Sequence, residues 1–203
     1  MTNYRLVVYH NTMDKKEIII LKTLELGFSK GLSNVSLMDI ATEVGIKKAS
    51  LYSHFDSKKS LVSAVIGYCK TKLAQKNFDV NFKAKEAQSL LFSLVDSFME
   101  TFGESPLLQY YAIVQQQKLY EKVFNDAAHE ITAMVNARVK VALEYCVQRS
   151  WLDIPDTDIA SAFFSDSIQQ CLTNLVTSEN LNLEFDEDWE LNRLVDGIIS
   201  LFS

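Results

Sequence analysis

Two lysine pairs, Lys47–Lys48 and Lys58–Lys59, bracket a short run of small, hydroxyl and aromatic residues, Ala49 to Phe55. These residue types point to recognition of a polyanion rather than to turnover. On a helix, Leu51 and Phe55 are four apart and share one side. Ala49, Ser50 and Ser53 lie roughly opposite, and all three are small. An anchored apolar edge, a slim far edge and cationic ends suit entry into a groove lined with phosphate.

Catalytic chemistry finds far less material. The histidines are His10, His54 and His129. "HEITA", from His129, begins like a zinc-protease motif but has Ala133 where the second histidine must stand. Asp126 and His129 have the spacing of half a di-metal bundle site, without the second half or the inward glutamates. No phosphate loop, dinucleotide fingerprint or nucleophile elbow occurs. The expectation is a non-enzyme with no metal and no cofactor. Cys69, Cys146 and Cys171 are widely spaced, which suits a reducing compartment better than a disulfide framework.

Charge is distributed unevenly. Residues 1–85 carry fourteen Lys/Arg against seven Asp/Glu, whereas residues 86–203 carry six against nineteen. A basic first part and an acidic remainder direct any polyanion partner to the first part. Hydrophobic content of 48% supports a real core, and 6 Gly with 2 Pro in 203 residues favour helices over a turn-rich β fold. The opening "MTNYRLVVYHNT" has too short an apolar run for a signal peptide, and no stretch approaches a membrane span. A soluble cytoplasmic protein without a membrane partner is expected.

The elements that position the lysines follow from capping signals. "DKKEIIILKTLELGFSKG" reads as a helix with Asp14 as N-cap, Glu17 completing a capping box and Gly31 as stop. "VSLMDIATEVGI" reads as a second helix, capped by Ser36 with Asp39 at the third position and ended by Gly45. A third is expected from Lys48 to Phe55, and a fourth starts with Asp56 or Ser57 as cap. Two short helices joined by a glycine turn form the helix-turn-helix pattern, whose second helix lies in the major groove. Beyond residue 85 the 3.6-residue period dominates. Leu90 to Phe102 form one stripe, and Pro106 opens a helix that extends through Tyr120 and Phe124. A long helix follows from Asn125 to Ser150, and two more close the chain.

These residues resemble the TetR family of bacterial transcriptional regulators. The matching string comprises Phe28, Gly31, "VSLMDIATEVGI" and "SLYSHFDSKKSL", between Ile19 and Leu61. The resemblance implies an all-α fold, with an N-terminal three-helix helix-turn-helix DNA-binding domain and a helical ligand-binding and dimerisation domain. We place a tail at 1–12, the DNA-binding domain at 13–60 and the second domain at 61–203. The resemblance further implies that Lys48, Ser50, Ser53 and His54 face DNA, and that Tyr52, Lys58 and Ser36 hold phosphates. Ser36 is equally readable as an N-cap alone. Lys47 stands where the family usually has a capping Ser or Thr, and is read as an extra cation facing DNA. No arginine lies between Arg5 and Arg138, so lysine must read guanine in place of the bidentate arginine contact.

Phe98, Met99, Phe102, Tyr110, Tyr111, Gln115, Met134 and Phe163 are candidate linings of an apolar effector pocket. Apolar stripes on the last two helices supply candidate dimer contacts. These are Phe163, Ile168, Leu172, Leu175, Leu191, Leu194, Val195, Ile198 and Phe202, although both stripes could instead pack within one chain. The expected partners are a double-stranded DNA operator, a second copy of the chain and a small hydrophobic or aromatic effector. The alternative is a helical protein-interaction module that has lost sequence-specific DNA binding.

Overall fold

The computed structural model describes residues 14–203, and the expected tail at 1–12 lies outside them. The described residues form nine α-helices and one 3-10 turn, with no strand among them. They divide into two compact units, one ending at Tyr68 and the other running from Cys69 to Ser203.

The first unit contains α1 (Lys15–Lys30), a 3-10 turn (Leu32–Asn34), α2 (Leu37–Val44), α3 (Lys48–Tyr52) and the start of α4 (Lys58–Ala74). Asp14 caps α1 by accepting from the Lys16 N–H, but Glu17 does not complete a capping box. Its carboxylate instead accepts from the Tyr68 hydroxyl at 2.8 Å, tying α1 to α4. Gly31 takes a positive φ of 78°, which a side chain would resist. Ile19, Leu24, Ile40, Leu51 and Leu61 form the core of this unit, each at most 1% exposed. Ser57, rather than Asp56, starts α4. It exchanges two 3.1 Å hydrogen bonds with Ser60, each backbone N–H donating to the other's hydroxyl oxygen.

The second unit holds the rest of α4 with α5 (Ala87–Gly103), α6 (Leu107–Gln117), α7 (Lys122–Gln148), α8 (Thr157–Leu181) and α9 (Glu187–Phe202). Asp156 and Asp186 cap α8 and α9 through backbone N–H bonds of 3.0 Å. Helix α6 ends three residues short of Tyr120, which is 79% exposed in the following turn. Phe124 belongs to α7, where its full burial pins the first turn and brings the helix start forward from the expected Asn125. Helices α7 and α8 pack most extensively, and both carry small buried residues that permit close approach: Ala127, Ala128 and Ala142 on one, Ala160, Ser161 and Ser165 on the other. The central layer is aromatic. Phe102 and Tyr111 lie 5.2 Å apart, and the Tyr111 hydroxyl donates to the Gln169 carbonyl at 2.9 Å.

Candidate nucleic-acid interface and ligand cavities

Helix α2 is locked at both ends. The Ser36 hydroxyl oxygen accepts from the Asp39 N–H, and the Asp39 carboxylate accepts from the Ser36 N–H at 2.8 Å, a reciprocal capping box. The Ser36 hydroxyl, followed by its backbone N–H, holds the Asp39 carboxyl below the ordinary carboxylate range. At the other end Gly45 adopts left-handed φ 71°, and the Ile46 N–H reaches back to the Ala41 carbonyl at 2.9 Å. This turn delivers α3 immediately. Leu51 is fully buried and Phe55 is 6% exposed, while Lys47, Lys48, Ala49, Ser50, Tyr52 and Ser53 are all exposed. The two-sided segment anticipated from spacing is therefore present.

Its details correct several expectations. Helix α3 ends at Tyr52 rather than Phe55, because the Ser53 hydroxyl donates to the Ser50 carbonyl at 2.7 Å and competes with the helical ladder. Lys47 occupies the N-cap position without a side-chain cap bond, which leaves its ammonium outward. The Lys48 ammonium sits 5.8 Å from the Tyr52 ring centre, a cation–π pair on the exposed face. The Lys58 ammonium donates to the Leu32 carbonyl at 2.9 Å, leaving two of its three protons for other acceptors. The Ser36 hydroxyl donates to the Asp39 carboxylate at 2.7 Å, as part of the cap. His54 is half-buried beside the turn.

The profile of bacterial regulatory proteins of the tetR family matches residues 19–65, which is this assembly of α1 to the start of α4. Over 54 residues the chain is 48% identical to a Staphylococcus aureus protein, the biofilm operon icaADBC HTH-type negative transcriptional regulator IcaR. Residues 19–65 are thus similar to the DNA-binding segment of the TetR family. The IcaR match covers 27% of this chain and 29% of that protein, so the sequence likeness spans under a third of the relative's length. The Bacillus subtilis HTH-type regulator YerO is 31% identical over 95 residues, covering 45% of this chain and 32% of its own. Structural likeness reaches much further along the chain. Reduced Escherichia coli NemR superposes with TM-score 0.66 over 94% of this chain and 98% of its own, at 11% identity. A regulator from Aquifex aeolicus gives 0.64 over 92% and 99%, at 22% identity. The whole TetR-like helical fold is thus shared, and the family is one of regulators rather than enzymes.

The eight candidate pocket residues lie in different surroundings. Phe98, Phe102 and Tyr111 are fully buried in packed core, with Phe98 stacked on Phe78 at 4.8 Å. Phe163 is 71% exposed on α8, and Gln115 accepts from Lys118. Tyr110 and Met134 share a cavity of about 240 Å3 that is also lined by Lys70, Leu73, Ala74, Ala127, Glu130 and Ile131. Met99 instead borders a larger groove of about 540 Å3, where Glu100, Glu104, Glu179 and Glu187 make an acidic rim. Burial first, then Asp96, Asp188 and Glu100, push the Glu187 carboxyl above its ordinary range. Sequence reading missed Lys70, Leu73, Glu130 and Ile131, because residues some sixty positions apart carry no joint periodic signal.

The dimer candidates are corrected too. Ile168, Leu172, Leu175, Leu191, Leu194, Val195 and Ile198 are buried inside one chain, and Phe202 is partly covered. The apolar residues that α8 and α9 leave outward are Ile159, Phe163, Leu181, Trp189 and Leu201. Asp126 pairs with Lys122 on the surface beside exposed His129, and no described cluster of three His, Cys, Asp or Glu could hold a metal. Burial pushes the Cys69 thiol up to about 12 and those of Cys146 and Cys171 to about 11, which removes the thiolate at neutral pH. No described helix is long and apolar enough to cross a membrane.

Proposed function

We propose that this chain is a TetR-family transcriptional repressor that binds a palindromic operator as a homodimer and is released by a small apolar or aromatic effector. The observation that carries the reading is α3: five residues with one buried anchor, Leu51, and an outward face of lysine, alanine, serine and tyrosine. Lys48, Ser50, Ser53 and His54 meet base edges, with Lys47 as an added cation, while Tyr52 and Lys58 hold backbone phosphates. Repression follows the role of IcaR, a negative transcriptional regulator. A single short helix discriminates too little sequence by itself, so two copies read two half-sites about 34–36 Å apart. Phe163 and Ile159, one turn apart on α8, with Leu201 and Trp189 on α9, supply apolar surface for the twin. The second domain, from 61 onward, carries the effector and the dimer contact.

A second reading has one observation in its favour. Lys48 folds over Tyr52 and Lys58 is tethered to Leu32, so the helix-turn-helix of an interaction module that no longer reads DNA would look similar. Selection of bound duplexes from a random pool separates the two. Repression requires an enriched palindromic sequence bound by a dimer in sedimentation. A folded protein that enriches nothing supports the interaction module.

A further inference from the structure

The solvent-open cavity between α4, α6 and α7 is bordered by a hydroxyl that no described protein group engages. Tyr110 is 1% exposed and lines this space, yet its hydroxyl makes no hydrogen bond to any described residue. The adjacent Tyr111 shows the usual solution, with its buried hydroxyl bonded to the Gln169 carbonyl. The Tyr110 oxygen is not sealed from solvent, and its residue lines the cavity. Burial, then Cys69 and Glu130, raise the Tyr110 pKa, which keeps the phenol a neutral donor. Around it the wall is apolar: Leu73, Ala74, Ala127, Ile131 and Met134. Lys70 and Glu130 also border the space, and the Lys70 ammonium reaches the Glu130 carboxylate oxygens at 2.6 and 2.7 Å. Their charges cancel, so nothing there selects an ion.

Size narrows the occupant further. An enclosed apolar cavity of about 150 Å3 takes benzene, and this one, about 240 Å3 and open on one side, has room for a ring with one short substituent. We propose that this cavity binds a neutral single-ring molecule bearing one carbonyl-type acceptor, with the ring against Ile131 and Met134 and the acceptor on the Tyr110 hydroxyl. That this molecule is the effector rests on the proposed repressor reading; that it binds does not. The acidic rim of the larger groove, with four glutamates, suits such a neutral ring poorly.

Acetophenone and ethylbenzene are matched probes, alike in ring and size and differing in the acceptor. Their binding is followed through the Ile131 and Met134 methyl signals in NMR titrations of the full chain without DNA. Both probes should shift these methyls. Tyr110→Phe should lower the acetophenone-to-ethylbenzene affinity ratio about tenfold, the effect of one buried hydrogen bond, while leaving ethylbenzene unchanged. Met134→Trp, at a half-exposed position that tolerates bulk, should abolish both shifts with an unaltered helical circular dichroism signal. An unchanged ratio in Tyr110→Phe, no methyl shift with either probe, or undiminished binding in Met134→Trp would overturn the proposal. A separate duplex-binding measurement with and without acetophenone keeps the two readings apart. Probe bound in the cavity with duplex affinity unaltered refutes release, not the site.

Discussion

Helix α3 buries one of its five residues, whereas α6 buries eight of its eleven. The first is held in place by neighbours and offers its side chains outward; the second is consumed by the core of its unit. A five-residue helix has no independent stability, so α3 exists because Leu51, Phe55 and the Gly45 turn fix it. Substitutions on its outer face should therefore change binding without changing folding. Those in the aromatic layer should do the reverse.

The largest expected effect is in that layer. Phe102→Ala, at a fully buried ring, should lower unfolding free energy by roughly 3–5 kcal/mol in urea titrations, with duplex affinity per folded molecule unchanged. Leu51→Ala breaks the contrast on purpose, because it removes the one anchor of α3. It should lose roughly 2–5 kcal/mol and duplex binding together. Tyr52→Ala should alter stability by no more than about 0.5 kcal/mol and weaken binding to all duplexes alike. Lys48→Ala should also relax base preference, and equal effects across sequences would remove its base-reading role. Ser36→Ala should cost about 1 kcal/mol through the lost cap, read from the thermal midpoint.

The two units also differ in how pH should undo them. Asp39, in the first unit, has a carboxyl pKa depressed below its unfolded value of 3.8. Its contribution is complete above that value and is lost as pH falls through the folded one. In the second unit, Cys69 is raised to about 12 and Cys146 and Cys171 to about 11, from 9.0 unfolded. Their contribution is complete below pH 9 and is lost as pH rises toward 11 to 12. Acid titration should thus loosen the first unit's Tyr52 and Tyr68 signals, and alkaline titration the second unit's Trp151 and Trp189 fluorescence. Trp signals that change at acid pH before the tyrosines would contradict this assignment.

The first unit was more legible in sequence than the second, for a physical reason. Ser36, Asp39 and Gly45 act through the backbone a few residues away, so their roles are written locally. The end of α3 was not legible, since it depends on a hydroxyl choosing a carbonyl three residues back. In the second unit, periodicity marked the apolar faces of α8 and α9 but could not say what covers them. Ile168 and Leu194 turn inside one chain while Phe163 turns out. The aromatic stripe likewise looked like a pocket, yet Phe98 and Tyr111 are fully buried while Tyr110 borders a cavity. An unsatisfied hydroxyl is a three-dimensional fact with no sequence signature.

The salt dependence of binding tests the outward face of the helix-turn-helix most directly. Anisotropy of a labelled selected duplex, titrated from roughly 50 to 300 mM salt, compares the wild-type chain with Lys47→Ala/Lys58→Ala. The wild type should lose affinity steeply, and the double variant's logarithmic slope should be shallower by about four per dimer, close to one per lysine removed. A flat wild-type line, or equal slopes for the two proteins, would mean that Lys47 and Lys58 do not meet phosphate and that the helix-turn-helix does not face a duplex.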